Sequence, residues 1–242
     1  MGSDFETRLR QWRDKPALRE IYRSFYSWIR SVIAPDVRGA IVEIGSGIAS
    51  LRDELPLAIA SDIEINERLD LACDAYDLPL KDGSISHLIL FDVFHHLQAP
   101  YAFLTAARRA LVPAGRLILF EPYMSALSWP VYGLFHPEPI GWREEIMNAE
   151  SLPRHARSYY AGQGAATRLF FRRLFAKRGW KVEYAKALCS TEYLLSGGFS
   201  GPQILPSALL LRLRSADAFL SRWPSLFGTR CLVVLERANA DK

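Results

Sequence analysis

The chain is poor in cysteine. Its three, Cys73, Cys189 and Cys231, stand far apart in 242 residues and form no CxxC pair. That spacing suggests no disulfide framework, and a reducing, cytoplasmic setting is the expectation. No apolar run approaches the roughly 20 residues that a membrane-spanning helix needs. The opening MGSDFETRLRQWRDK is too charged for a secretory signal. Glycine motifs for phosphate are incomplete. EIGSGIAS (43–50) has Ser50 where a dinucleotide fingerprint needs its third glycine, and no Lys-Ser/Thr pair follows to make a P-loop. Acidic residues are scarce in the C-terminal part: residues 151–242 carry 15 Lys/Arg against 5 Asp/Glu, whereas residues 1–150 carry 15 against 21. The basic part suits phosphate, nucleic acid, an anionic membrane surface, or simply solvent.

What is present is globular. Half of the residues are hydrophobic, enough to build a substantial core at this length. Residues 5–33 have the apolar spacing of helices, ended by Pro35. AIVEI (40–44), LPLAIASD (55–62), LDLACDA (69–75), ISHLILFD (85–92) and RLILFEP (116–122) read as strands, the last entered through the turn PAG (113–115). WKVEYAKA (180–187) and TRCLVVLER (229–237) read as two more. Helices are expected over 100–111 and 167–179, the latter ending at Gly179. Strands alternating with helices predict a doubly wound α/β sheet. Two segments, 122–165 and 190–228, fall outside the alternation, and both follow strands where open α/β sheets commonly bear ligand-contacting insertions.

An acid closes each of four successive elements: Glu43, Asp62, Asp74 and Asp92. A carboxylate two residues ahead of Gly45 would repel a pyrophosphate and suits a cofactor carrying positive charge. An acid at the second strand end, 19 residues after Glu43, can accept hydrogen bonds from both ribose hydroxyls.

EIGSG, SD, CDAYDLPLKDGSISHLILFDVFHHL and RRALVPAGRLILFEP resemble the successive motifs of class I S-adenosylmethionine (SAM)-dependent methyltransferases, in particular the type 11 group. The resemblance spans about residues 38–122. It implies a Rossmann-like sheet of seven strands, order 3-2-1-4-5-7-6, with the last strand antiparallel. It further implies that Glu43, Gly45, Ser46 and Gly47 line the methionine end of SAM and that Asp62 holds the ribose. Asp74 and Ala75 would read the adenine edge, and Phe91 and Asp92 would lie beside the methionine moiety. The sequence departs from the pattern in two places. Ala49 replaces a glycine, which a first helical turn tolerates. Only IEINERLDLAC separates Asp62 from Asp74, too short for a regular crossover helix, so the helix between strands two and three is expected to be absent or reduced.

The expected organisation is one methyltransferase domain: a helical cap (1–37), a SAM-binding core (38–122) and acceptor-side insertions (122–165 and 190–228). His95 and His96 would open a helix near the transferred methyl group, and His95 is a candidate general base; packing at a helix start is the alternative role. A metal centre is not expected, because adjacent histidines do not readily face one ion. In the first insertion Tyr123, Trp129, Tyr132, His136, Glu138 and Trp142 could meet an acceptor, with His136 or Glu138 as a base, or the segment could fold as a lid. The stretch 204–223 mixes apolar residues with arginines; core or dimer packing and peripheral membrane contact both fit it. The expected activity is methyl transfer to a small-molecule or lipid/glycan-linked acceptor, at oxygen rather than nitrogen, since no Asn-Pro-Pro-Tyr motif follows strand four. A SAM-binding module without turnover, an RNA methyltransferase and, last, a nicotinamide dehydrogenase are the competing readings.

Overall fold

The structure, a computed structural model, describes residues 4–147, 160–172 and 174–238. Two helices open the chain, α1 (Asp4–Asp14) and α2 (Pro16–Ser31). Seven strands follow: β1 (Ala40–Ile44), β2 (Ile59–Asp62), β3 (Leu71–Ala72), β4 (Ile85–Phe91), β5 (Leu111–Pro122), β6 (Trp180–Leu188) and β7 (Arg230–Arg237). They form one sheet in the order β3-β2-β1-β4-β5-β7-β6, parallel except that β7 runs antiparallel to both its neighbours. This is the predicted topology. The pairing of Pro122 with Arg230, and of Arg230 with Leu188, brings the start of β7 to the edge where β1, β2 and β4 end.

Alternation along β4 sorts its side chains onto two faces. Leu88 and Leu90 face α3 (Pro100–Ala110), with its buried Tyr101, Phe103, Leu104 and Ala107. Ile89 and Phe91 face α2, where Leu18, Ile21, Tyr22, Phe25, Tyr26 and Ile29 recur at helical spacing. Each buried aromatic or aliphatic side chain there contributes about 1.5–3 kcal/mol. Tyr22 and Tyr26 are thus core residues of the cap. Proline starts both helices at a position whose N–H needs no partner.

The crossovers on the β3 side are stripped down. No helix joins β2 to β3, as the short spacing predicted. The β1–β2 connection holds only a 3-10 turn, Ser50–Asp53, and Ala49 precedes it at φ +57°. Ala49 is therefore not inside a helical first turn but in the left-handed region that favours glycine.

Three other expectations need correction. β5 begins at Leu111, and PAG is a bulge within it rather than a turn before it: Ile85 pairs with Leu111 but His87 with Arg116, and Ala114 takes φ +60°. The helix expected over 167–179 is a single π turn, Thr167–Phe171. Beyond it the backbone is fastened to α3 instead, with the Tyr101 hydroxyl accepting from Ala176 N–H at 2.8 Å and donating to Leu174 O at 3.4 Å. The C-terminal insertion forms α5 (Thr191–Ser196), α6 (Ser207–Leu220) and α7 (Pro224–Phe227) after the first insertion's α4 (Ser128–Phe135). Only Leu210 and Asp217 of α6 are buried, which removes the core role from those expected for 204–223, core or dimer packing and peripheral membrane contact. Residues 148–159 of the first insertion lie outside the described residues. No described helix is long and apolar enough to cross a membrane.

Candidate functional site

The glycine turn follows β1 directly. Gly45 and Gly47 take φ +73° and +52°, and a side chain at 45 would collide with Val93. Ser46 N–H donates to Ser61 O at 2.8 Å and Ser61 N–H to Ser46 Oγ at 3.0 Å, tying the turn to β2. Asp62 Oδ2 accepts from Gly47 N–H at 2.8 Å, and Oδ1 from Glu64 N–H at 3.0 Å. The strand-end acid thereby holds the turn in shape. Glu43 lies beneath, 4 % exposed. Burial pushes its carboxyl up to about 8, more than Ser46 and Arg52 offset. Asp74 caps its own turn, Oδ1 accepting from Tyr76 N–H at 2.9 Å, with Ala75 half-buried beside it. The Phe91 side chain points away from this rim into the α2 face, stacked on Phe120 at 5.0 Å.

Past β4 the backbone turns sharply, with Asp92 at φ +55°. Asp92 Oδ1 accepts from Arg230 Nη2 at 2.6 Å. Arg230 is 1 % exposed and sits among the rings of Phe25, Phe91, Phe120 and Tyr193 at 5.0–5.7 Å, an arrangement that holds a desolvated guanidinium well. Burial pushes the Asp92 carboxyl up and Arg230 pulls it back. Beside this pair, Arg230 Nε is buried without a hydrogen-bond partner, and the buried Tyr132 hydroxyl lies against the Arg230 guanidinium. Burial raises the Tyr132 phenol.

Next comes a 3-10 turn, Phe94–His96. Glu121, fully buried near the end of β5, accepts from its first N–H groups: Val93 at 2.9 Å, Phe94 at 2.7 Å and His95 at 3.3 Å. Glu121 also contacts His95 Nδ1 at 2.6 Å, while His95 Nε2 lies 3.4 Å from Glu138 Oε2. Burial alone would lower His95, but Glu121 and Glu138 outweigh it and raise the imidazole to about 10. His96 Nδ1 meets Tyr160 O at 3.0 Å and its Nε2 lies 3.8 Å from Glu138 Oε1. Burial lowers His96 and His136. Glu138 is positioned by the insertion folding on itself: Gln163 N–H donates to Pro139 O, Gly164 N–H to Ile140 O and Gly162 N–H to His95 O. The Gln163 amide donates to Glu138. Adjacent histidines do converge here. The tight turn sets their rings 4.1 Å apart with one donor atom of each near Glu138, where adjacent histidines were expected not to face one ion readily.

Glu43, Gly45, Ser46, Gly47 and Asp62 thus form one constellation, with Asp74 and Ala75 further along the same edge. Asp92, His95 and His136 form a second, toward the insertions; His136 accepts the Glu138 N–H at its Nδ1 (3.2 Å), and its ring lies tilted at 53° to that of Tyr132, 5.3 Å away. Three residues were missed. Glu121 was legible as one more strand-end acid. Arg230 and Gln163 carried no signal, because antiparallel register and loop pairing place them.

The first constellation fits a cationic, phosphate-free cofactor. A buried carboxyl raised by desolvation is stabilised in its charged form by an adjacent cation, and the rim presents carboxylates rather than the N–H cradle of a pyrophosphate site. Residues 45–119 match the model of the methyltransferase domain family, type 11 group. The sheet order and the reversed last strand are those of the class I SAM-dependent methyltransferase fold, and the matched methyltransferase domain lies on the cofactor half of it. A SAM-dependent methyltransferase from Thermotoga maritima, described as a possible histamine N-methyltransferase, has the same fold at TM-score 0.54 and 16 % identity over 98 % of this chain and 100 % of its own. Geranyl diphosphate C-methyltransferase from Streptomyces coelicolor, solved with Mg2+, geranyl diphosphate and S-adenosyl-L-homocysteine, follows at 0.53 and 12 % over 90 % and 80 %. A [4+2]-cyclase shares the fold at 0.50 and 10 % over 90 % and 81 %. At such identities the likeness is one of fold. No curated protein matches the chain.

Proposed function

We propose that the protein transfers the SAM methyl group to an oxygen of a small-molecule or lipid/glycan-linked acceptor bound between the two insertions. One observation carries the choice of oxygen. Arg230 Nε–H is a buried donor without a partner, and the buried Tyr132 hydroxyl, set against the Arg230 guanidinium, still has its own O–H to donate, next to Asp92 at the carboxyl edge of the sheet. Unanswered buried donors cost about 1–3 kcal/mol each, and an acceptor oxygen would satisfy them. Exposed Leu134, Phe135, Phe219, Trp223 and Leu226 support an acceptor with an apolar portion, or peripheral contact with a lipid surface. α4 and α7 adjoin there, Ala126 N–H donating to Ser225 O and Leu127 N–H to Leu226 O.

In this reading residues 1–37 cap the sheet, 38–122 hold the cofactor, and 122–165 with 190–228 enclose the acceptor. Glu43, Gly45, Ser46 and Gly47 hold the methionine end, Asp62 the ribose, and Asp74 and Ala75 the adenine edge. Asp92 flanks the methionine moiety, while Phe91 acts from below as packing. SAM supplies an electrophilic methyl carbon on a cationic sulfur. The chain's task is to align the acceptor oxygen with it, a positioning effect that can contribute several kcal/mol. His136 Nδ1 accepts the Glu138 N–H, so the neutral ring carries its proton on Nε2 and serves first to orient the acceptor. Incubation with methyl-labelled SAM and a panel of phenolic, sugar and lipid-linked alcohols should yield a labelled ether. Label found only on nitrogen would overturn the oxygen assignment.

A further inference from the structure

His95, His96 and Glu138 are brought together from two separate elements, the 3-10 turn after β4 and the first insertion, and one donor atom of each lies within 4.8 Å of the other two. His95 Nε2 and His96 Nε2 stand 3.4 and 3.8 Å from the two oxygens of Glu138. Donors 2.0–2.1 Å from a tetrahedral zinc ion are about 3.3 Å apart, so the cluster needs only small side-chain adjustments to close on an ion. The remaining ring nitrogens are engaged as metal-bound imidazoles usually are: His95 Nδ1 with Glu121, His96 Nδ1 with the Tyr160 carbonyl. Both contacts direct Nε2 toward Glu138.

A second observation points the same way. Gln163, 2 % exposed, donates its amide N–H to Glu138, while its Oε1 is buried without a hydrogen-bond partner. An ion, or a water on it, would give that oxygen a neighbour. Glu138 and His96 retain 23 % and 31 % side-chain exposure. The alternative grouping of Asp92, His95 and Glu121 is already consumed by the Arg230 pair and by the backbone N–H groups on Glu121.

We propose that His95, His96 and Glu138 bind a divalent transition-metal ion of the zinc class, with open coordination positions facing the acceptor side. Two imidazoles and one carboxylate suit such ions and leave room for substrate oxygen. Resting on the reading above, the ion would coordinate the acceptor hydroxyl and lower its pKa. The hydroxyl proton would leave to water, and the oxygen lone pair would form the O–C bond as the C–S pair returns to sulfur, giving ether and S-adenosylhomocysteine.

The test is direct binding. Protein freed of metal by chelator should take up one equivalent of Zn2+ in competition with a chromophoric chelator, and Co2+ should give a tetrahedral or five-coordinate visible spectrum. His96→Ala and Glu138→Gln should each weaken uptake at least 100-fold, and Glu121→Gln, which acts through His95 Nδ1, about 10- to 100-fold. His96 is partly exposed, so His96→Ala should fold, and calorimetry with S-adenosylhomocysteine on the same sample checks that it has. Stoichiometric uptake lost in these variants supports the site whether or not an ether product is found. Absence of stoichiometric uptake, or uptake unchanged in both His96→Ala and Glu138→Gln, would overturn it.

Discussion

Glu43 offers the sharpest quantitative test of the cofactor site. Its carboxyl is buried and raised from 4.5 to about 8. A shift of that size corresponds to about 5 kcal/mol of disfavour for the charged form. The folded protein therefore keeps a proton that the unfolded chain loses near pH 4.5. Stability should fall as pH rises from about 4.5 to 8, and the full penalty stands above 8. A cation bound beside Glu43 needs the ionised form. If only that form binds, apparent affinity scales with its population, about 1 % at pH 6 and half at pH 8, so SAM should bind about 50-fold tighter at pH 8 than at pH 6. The α-amino group of SAM titrates near 8 as well, so the comparison is made against Glu43→Gln, in which that contribution remains. The variant should bind SAM more weakly and lose most of the pH 6–8 dependence. Without ligand it should melt higher than wild type at pH 9, since roughly each kcal/mol is worth 2–4 °C at this size. Calorimetry in buffers of differing ionisation enthalpy should show proton release on binding to wild type at pH 7 only. Equal wild-type affinities at pH 6 and 8, with no proton release, would refute the placement of Glu43 beside the cofactor's cation.

Asp62→Ala should weaken SAM binding tenfold or more, on the order of 1.4 kcal/mol, since Asp62 also shapes the turn through Gly47 N–H; unchanged calorimetric affinity would remove it from the site. Arg230→Met leaves the half-buried Asp92 without its partner and should cost about 1–3 kcal/mol, read as a lowered urea midpoint. Ala49→Gly relieves the left-handed backbone at φ +57° and should stabilise by roughly 0.5–1 kcal/mol, the gain being reduced by the entropy of the added glycine; a lower Tm would contradict the strain. Lys15 Nζ donates to Ser196 O, Gly198 O and Gly201 O at 3.2, 2.7 and 2.6 Å, so Lys15→Met should expose the glycine loop to limited proteolysis while SAM binding persists.

Strand order was legible because its signals are local. AIVEI and ISHLILF are short apolar runs ending in turn residues and acids, and the Asp62–Asp74 spacing forbids a helix on geometry alone. The acids of the proposed cofactor site were legible for the same reason, as one per strand end. What escaped depends on contacts distant in sequence. The start of β7 places Arg230 against Asp92, 138 residues away, and nothing in TRCLVVLER signals a buried guanidinium in a ring cage. The resemblance implied a place for Phe91 beside the methionine moiety, but alternation along β4 turns its ring into the α2 face. Neighbouring His95 and His96 looked divergent by helical spacing; a 3-10 turn held by Glu121 brings them together.

The central claim is that the acid-rimmed edge binds SAM. Isothermal titration of the full chain with SAM, S-adenosylhomocysteine and NAD tests it most directly. Saturable one-to-one binding of SAM and S-adenosylhomocysteine, with no heat from NAD, is the predicted result. Binding of NAD without binding of SAM would contradict it.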